Sequence, residues 1–202
     1  MKRQDFLEIL ASDVLAASPL LLGSILSLGK MKAQIVEVEA YRTPDDPACH
    51  AHRGNTPRCA RMFDRPGLAY VYFTYGNHWM LNMVAHESNH AAAILIRAAK
   101  PISEIETMSE RRFLDQTDQS DKNLLSGPGK LTQAFQITGS YDGVDLLDPS
   151  SPLRIELSPP IKQFTRSGRI GLSPGIAREY PWRFCDEQYL EWASNPKPKI
   201  HR

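Results

Sequence analysis

Residues 35–50 read IVEVEAYRTPDDPACH and hold a carboxylate, a phenol and an imidazole close together: Glu39, Tyr41 and His50. A carboxylate can take a proton from water, an aromatic ring can stack on a flat ligand, and an imidazole can pack or bond beside it. Val36, Val38 and Ala40 alternate with Glu37, Glu39 and Tyr41, the period of a strand with one face on a core. The TPDDP run at 43–47 then ends the strand and opens a loop, since proline fixes φ and aspartate bonds its own backbone. That loop delivers His50 nine residues after Tyr41. A solvated strand face followed by a polar loop would read the same way, so the rest of the chain has to decide.

Three further groups bear on the chemistry. Tyr70 and Tyr72 share one strand face, and Tyr75 opens the tight turn Tyr75-Gly76-Asn77. A ring at a turn tip beside basic residues is how proteins wedge into a base stack. Asn82 stands in an apolar strand and Arg97 ends the run Ile94-Leu95-Ile96, where a polar side chain is costly unless paired. Ser126-Gly127-Pro128-Gly129-Lys130 exposes backbone amides ahead of a helix, with a lysine adding charge, which makes an anion site. The Walker pattern is absent, so a nucleic-acid phosphate fits this loop better than a nucleotide triphosphate.

Cys49, His50, His52 and Cys59 have the residue types of a zinc site. Adjacent Cys49 and His50 do not converge easily on one ion, and no second CxxC or HxxxH pair exists. No metal and no cofactor is expected. There is also no GxSxG nucleophile and no dinucleotide fingerprint. A carboxylate, aromatic rings, an arginine and a phosphate grip together suit base flipping. A nucleotide is extruded, its base is stacked between rings, and the carboxylate activates water against the sugar carbon.

These residues need elements to carry them. Helical patterns cover 4–10 and 13–22, the second shortened by Pro19 and capped by Ser12 or Asp13. Strands are expected at 23–28 and 32–41, joined as a hairpin across Gly29-Lys30, and at 68–74, 79–86 and 92–97. Residues 52–65 form a long loop of the kind that is usually functional. A helix is expected at 103–114, a polar loop at 115–122, a helix at about 130–137, and short strands at 153–157, 169–172 and 183–185. The fold class is α+β, with a curved, largely antiparallel sheet flanked by helices in one domain over 1–202, and 195–202 a frayed tail.

Composition sets the outer bounds. Hydrophobic residues make up 42% and charged residues 23% of 202, the balance of a globular protein rather than a disordered one. Residues 15–28 are the longest apolar stretch, but Ser18, Pro19, Gly23, Ser24 and Ser27 interrupt it, and Asp5 and Glu8 spoil a signal peptide. A cytoplasmic protein without a membrane partner is expected, and the three scattered cysteines argue against a disulfide framework. Net charge is only +1, yet residues 50–100 carry Arg53, Arg58, Arg61, Arg65, Arg97 and Lys100 against Asp64 and Glu87. Residues 104–121 reverse that balance, which suits a protein gripping a polyanion on one side.

The ordered set VEVEAY, the histidine nine residues after its tyrosine, TPR followed by MF, YVYFTYGNHWMLN, AILIRA, SGPGKL and RIG resembles the 3-methyladenine (alkylpurine) DNA glycosylase family from about residue 20 to 184. The resemblance implies that Glu39 is the general base, that Arg97 helps hold the attacking water, and that the backbone carbonyl of Ile170 also binds it. Tyr41, His50 and Tyr72 would wall the base pocket, and Asn82 would reject the 2-amino group of guanine. Tyr75 would be the wedge, with Gly76 and Asn77 in its turn, and Gly127, Pro128 and Lys130 would contact phosphate. The implied partner is duplex DNA containing a damaged purine, met by a nucleoid-associated bacterial-type monomer that leaves an abasic site without nicking the strand. Asn77, Cys59 and Cys185 depart from the residues more usual in the family. The competing reading is a non-catalytic module for damaged or distorted DNA, which needs the basic stretch and Tyr75 but not Glu39.

Overall fold

One strand, β2 (Met31–Arg42), runs through the middle of the sheet and carries both acids of the opening motif. A computed structural model of the chain describes residues 1–74, 76–87, 90–112, 121–173 and 175–199. The other strands are β1 (Ile25–Leu28), β3 (Ala69–Thr74), β4 (His78–Glu87), β5 (His90–Ser103), β6 (Leu153–Glu156), β7 (Phe164–Ser167) and β8 (Arg183–Asp186). Their order is β3-β4-β5-β2-β1-β6, every pairing is antiparallel, and β8 pairs with both β2 and β7. One edge of β2 meets β5 along its length, and the other meets β1 and then β8.

The helices lie on one face. They are α1 (Arg3–Ser12), α2 (Val14–Ala17), α3 (Ile105–Arg111), α4 (Asp121–Leu124) and α5 (Pro128–Phe135). Asp13 caps α2 by accepting from the amides of Leu15 and Ala16, and a 3₁₀ turn over Ser18–Leu21 takes up Pro19. Pro128 starts α5 two residues before the expected boundary, at a position where its missing N–H costs nothing. Phe6, Leu10 and Phe135 are fully buried under this layer, each contributing about 1.5–3 kcal/mol.

Alternation divides the strands cleanly. Ala69 and Val71 on β3, Leu81, Met83 and Ala85 on β4, and Ala92, Ile94 and Ile96 on β5 face the helices. Tyr70, Val84 and Ala93 face the opposite side, where Cys49, Cys59 and Met62 from the 43–67 segment cover them. On β2, Ala33 and Ile35 join the helix-side core, but so do Val38 and Ala40. A bulge explains the change of parity. Ile35 pairs with Ala99 and Glu37 with Ala98, leaving Val36 as the extra residue, and the next step, to Val38 opposite Ile96, leaves Arg97 extra on β5. The doubled bulge turns Glu37, Glu39 and Tyr41 to the face opposite the helices.

The expected curved, antiparallel α+β architecture is observed. The strand expected at 169–172 is not: Gly171 has φ +80°, and the Arg169 guanidinium is drawn into an ion pair that bends the segment into a loop. The strand missed in that region is β7, which pairs with β8. Residues 113–120, which end one expected helix and fill most of the expected polar loop, lie outside the described residues. The segment expected to fray is held at two points: the Pro196 carbonyl accepts from Arg183, and the Lys197 ammonium donates to the carbonyls of Glu191 and Ala193. No described helix is long and apolar enough to cross a membrane.

Candidate active site

A cavity of about 230 Å³ opens on the face away from the helices. This is below the ~300–1,000 Å³ of sites for drug-sized ligands, so it suits one small flat ring. Its walls include Tyr41, His50, Tyr72, Asn82, Met62 and Met80. The expected pocket residues Tyr41, His50, Tyr72 and Asn82 are therefore brought together from β2, the following loop, β3 and β4.

Glu39 lies just behind the floor. It is fully buried and does not itself line the cavity, whereas the three residues that bind it do. The Ile170 amide donates to Oε1 at 2.8 Å. The Tyr41 hydroxyl donates to Oε2 at 2.7 Å and the Arg97 guanidinium at 3.2 Å. Burial pushes the Glu39 carboxyl above its ordinary value, more than Arg97 and the two hydrogen bonds pull it down. Burial and the Glu39 charge raise the Tyr41 phenol further, so its proton stays in place to donate. Of Ile170, the resemblance implied a backbone carbonyl directed at the water, whereas the contact seen is its amide donating to Glu39 itself.

The His50 ring sits at the open rim, 4.5 Å between centroids from Tyr72 and nearly perpendicular to it. Its Nδ1 lies 2.9 Å from the Tyr70 hydroxyl, and that hydroxyl donates its one proton to the Arg58 carbonyl at 3.1 Å. Nδ1 must then be the donor, and the neutral ring keeps its lone pair on Nε2. Partial burial and the nearby Arg58 cation both hold the imidazole below its ordinary value, favouring that neutral form. Asn82 is buried and donates to the Tyr70 carbonyl at 3.0 Å, which fixes its amide against the wall.

The DNA-contacting expectations divide. Tyr75 lies outside the described residues. Gly76 is exposed with φ +72°, as its tight turn requires, and Asn77 is exposed beside it. Pro128 lines the cavity, and Lys130 donates to Ser126 at 3.3 Å. A Cβ on Gly129 would stand 2.8 Å from the His78 ring, so only glycine lets the start of α5 approach the start of β4 this closely. That contact brings the glycine-rich loop beside the 76–77 turn.

Several residues of the site went unassigned in the sequence. Arg169 is fully buried, forms a bidentate pair with Asp46 at 2.6 and 2.7 Å, and donates to the carbonyls of Ala40 and Ala177. Its guanidinium lies 4.6 Å from the centre of the Tyr41 ring, behind the wall. Glu37 is equally buried, held by Arg97, Arg183 and Ser194. The available signal was charge balance: Asp46 and Glu37 each stand in a segment that folding buries, so each needed a distant cation. Cys49 and Cys59 are buried, and burial pushes the Cys49 thiol up to about 12. Cys59 bonds Thr56 and the Gly54 carbonyl.

The geometry is thus an aromatic slot with a buried carboxylate under its floor. Comparison with known proteins gives the same direction. A relative from Rhodopseudomonas palustris, named "Putative 3-methyladenine DNA glycosylase", is 40% identical over 191 residues, covering 94% of this chain and 87% of its own. Relatives with the same name from Burkholderia lata (41% identical, covering 89% of this chain and 84% of its own) and Agrobacterium fabrum (42% identical, covering 85% and 83%) are also similar. Residues 8–189 match the methylpurine-DNA glycosylase family, a span that includes every residue of the slot and its floor, and this chain belongs to that family.

Proposed function

We propose that this protein is a monofunctional DNA glycosylase that extrudes an alkylated or deaminated purine from duplex DNA and hydrolyses its N-glycosidic bond. The observation that carries the reading is Glu39, a buried carboxyl of raised proton affinity, set directly behind an aromatic cavity by three donors. The base enters between Tyr41 and Tyr72 beside His50. A cationic alkylated purine gains cation–π attraction there, on the order of 1–2 kcal/mol when desolvated. Asn82 limits what fits at the purine 2-position. Water reaches the carboxylate between Tyr41, Arg97 and Ile170, which bound it on the cavity side.

The bond between C1′ and the nitrogen of a purine that is already cationic, by alkylation or, for a deaminated base, by prior protonation from solvent, breaks with its electron pair neutralising the base. Water oxygen bonds to C1′ and its proton passes to Glu39, which gives a free purine and an abasic sugar. Among the described residues no lysine lines the cavity, which supports hydrolysis without a Schiff base or strand nicking. Gly127, Pro128, Lys130, Gly76 and Asn77 lie on the side where backbone and gap contacts are needed, and Tyr75 is assigned as the wedge by its place in the sequence, directly before Gly76. The enzyme works as a monomer, without metal or cofactor.

The test is Glu39→Gln. Release of free purine from a methylated duplex falls by about 10²–10⁴-fold, the range of a general base, while affinity for the lesion is kept. Wild-type turnover in that variant would remove the role given to Glu39, whereas no release of purine by the unmodified protein would leave the competing reading, a non-catalytic lesion-binding module.

A further inference from the structure

We infer that Glu37 is a positioning residue for the reaction at Glu39, and that Ser194 locks it, so that together they aim Arg97 at the reacting carboxylate. The inference rests on the glycosylase reading given above. Glu37 stands two residues before Glu39 on the same face of β2 and is fully buried. Arg97 donates from Nε to Glu37 at 3.0 Å and from Nη1 to Glu39 at 3.2 Å, so one planar guanidinium spans both carboxylates. Arg183 donates to Glu37 at 2.7 Å. Ser194 donates to it from its amide at 2.5 Å and its hydroxyl at 2.7 Å, and its hydroxyl oxygen lies 3.2 Å from Nη2 of Arg97.

A need for positioning follows from the backbone. Arg97 is the extra residue of a bulge, where the ladder does not dictate the side-chain direction. Its partners must do so. Stability alone does not account for the arrangement, because a buried ionic cluster is often no better than apolar packing of the same volume. Glu37 also supplies a charge. It stays ionised despite burial, because Arg97, Arg183 and Ser194 hold its carboxyl below the ordinary value. It therefore offsets part of the Arg97 charge that would otherwise weaken Glu39 as a base.

The groups facing Glu39 are Arg97 from β5, Glu37 and Tyr41 from β2, Arg183 and Cys185 from β8, and Arg169 from the loop before Ile170. Glu37→Gln removes one negative charge and leaves the cations, so Glu39 must titrate at lower pH.

The experiment has two readouts on the whole protein. Carbon-13 NMR follows the Glu39 carboxyl against pH without DNA, and single-turnover assays follow purine release from a methylated duplex across the same range. For Glu37→Gln, the titration and the acidic limb move together to lower pH. The plateau rate falls about a hundredfold, the scale of a small misplacement, and duplex affinity is unchanged. Ser194→Ala lowers the plateau about tenfold, one hydrogen bond to a charged group, and Ser194→Thr restores it. An unmoved titration in Glu37→Gln, or a wild-type plateau in Ser194→Ala, overturns the inference. If Glu37→Gln does not fold, the Ser194 pair decides. A shifted titration in Glu37→Gln with no purine released by the unmodified protein leaves the linkage standing and removes the glycosylase reading, whereas normal release by the unmodified protein with an unmoved titration does the reverse.

Discussion

The Ile170 amide donates to Glu39 Oε1 at 2.8 Å although the two residues are 131 positions apart. The orientation of the carboxylate is thus set by main chain from a distant loop. Side-chain changes at Ile170 leave that bond available, but shifts of the loop do not. The loop is itself anchored by Arg169, one residue earlier.

The acidic limb of excision should lie above the range of an ordinary glutamate. Burial raises the Glu39 carboxyl, and only its ionised form accepts a proton from water. Activity is therefore present above the raised value and lost as pH falls through it. Tyr41 is raised as well, so its ionisation sets no alkaline limb near pH 10. Single-turnover rates from pH 4 to 10 on one methylated duplex check both signs, and a limb at or below the ordinary glutamate value of 4.5 contradicts the first.

Breaking the Arg169–Asp46 pair should be severe. Arg169→Met leaves a buried carboxylate without its bidentate partner, a loss on the order of 3–5 kcal/mol and a fall in Tm on the order of ten degrees. Removing both charges as Arg169→Met with Asp46→Asn should recover part of it. Thermal unfolding of the two singles and the double measures the coupling.

Asn82→Ala should relax discrimination at the purine 2-position. It enlarges the slot and removes the bond to the Tyr70 carbonyl, worth about 1 kcal/mol. The expected outcome is increased release of guanine relative to adenine lesions from mixed methylated DNA, read by chromatography of the freed bases. An unchanged ratio would remove Asn82 from the selectivity argument.

Gly129→Ala should lose about 1–3 kcal/mol by overpacking, because the new methyl meets the His78 ring at 2.8 Å. It should also weaken duplex binding by displacing the start of α5 from the 76–77 turn. His78→Ala in the same chain relieves the clash. Recovery of both stability and affinity in the double variant, by unfolding and fluorescence anisotropy, separates the contact from any general effect of alanine.

The strand faces were legible because alternation over β2 to β5 is a local property. Alternation therefore placed Tyr41 with Glu37 and Glu39 on one face of β2, and Tyr72 with Tyr70 on one face of β3, whereas the slot roles of Tyr72, Asn82 and Arg97 came from the family resemblance. The bulge at Val36 was not legible, since apolar Val36 continues the same alternation and its displacement depends on pairing with β5. The ionic partners were invisible for a different reason: Glu37 finds Ser194 across 157 positions and Asp46 finds Arg169 across 123. Residues 169–172 look like a strand because Ile170 and Leu172 alternate, but the pull of Asp46 on Arg169 and the φ of Gly171 outweigh that weak pattern.

Because β2 is paired on both edges, the carboxylate belongs to the part of the molecule that opens most slowly, while His50, Ile170 and the α5 loop ride on connections. Amide exchange around Glu39 should accordingly require unfolding on a global scale, whereas the surrounding segments exchange through local openings. On the proposed mechanism, evolution can then retune which lesions are admitted by altering peripheral segments, with the hydrolytic engine left seated.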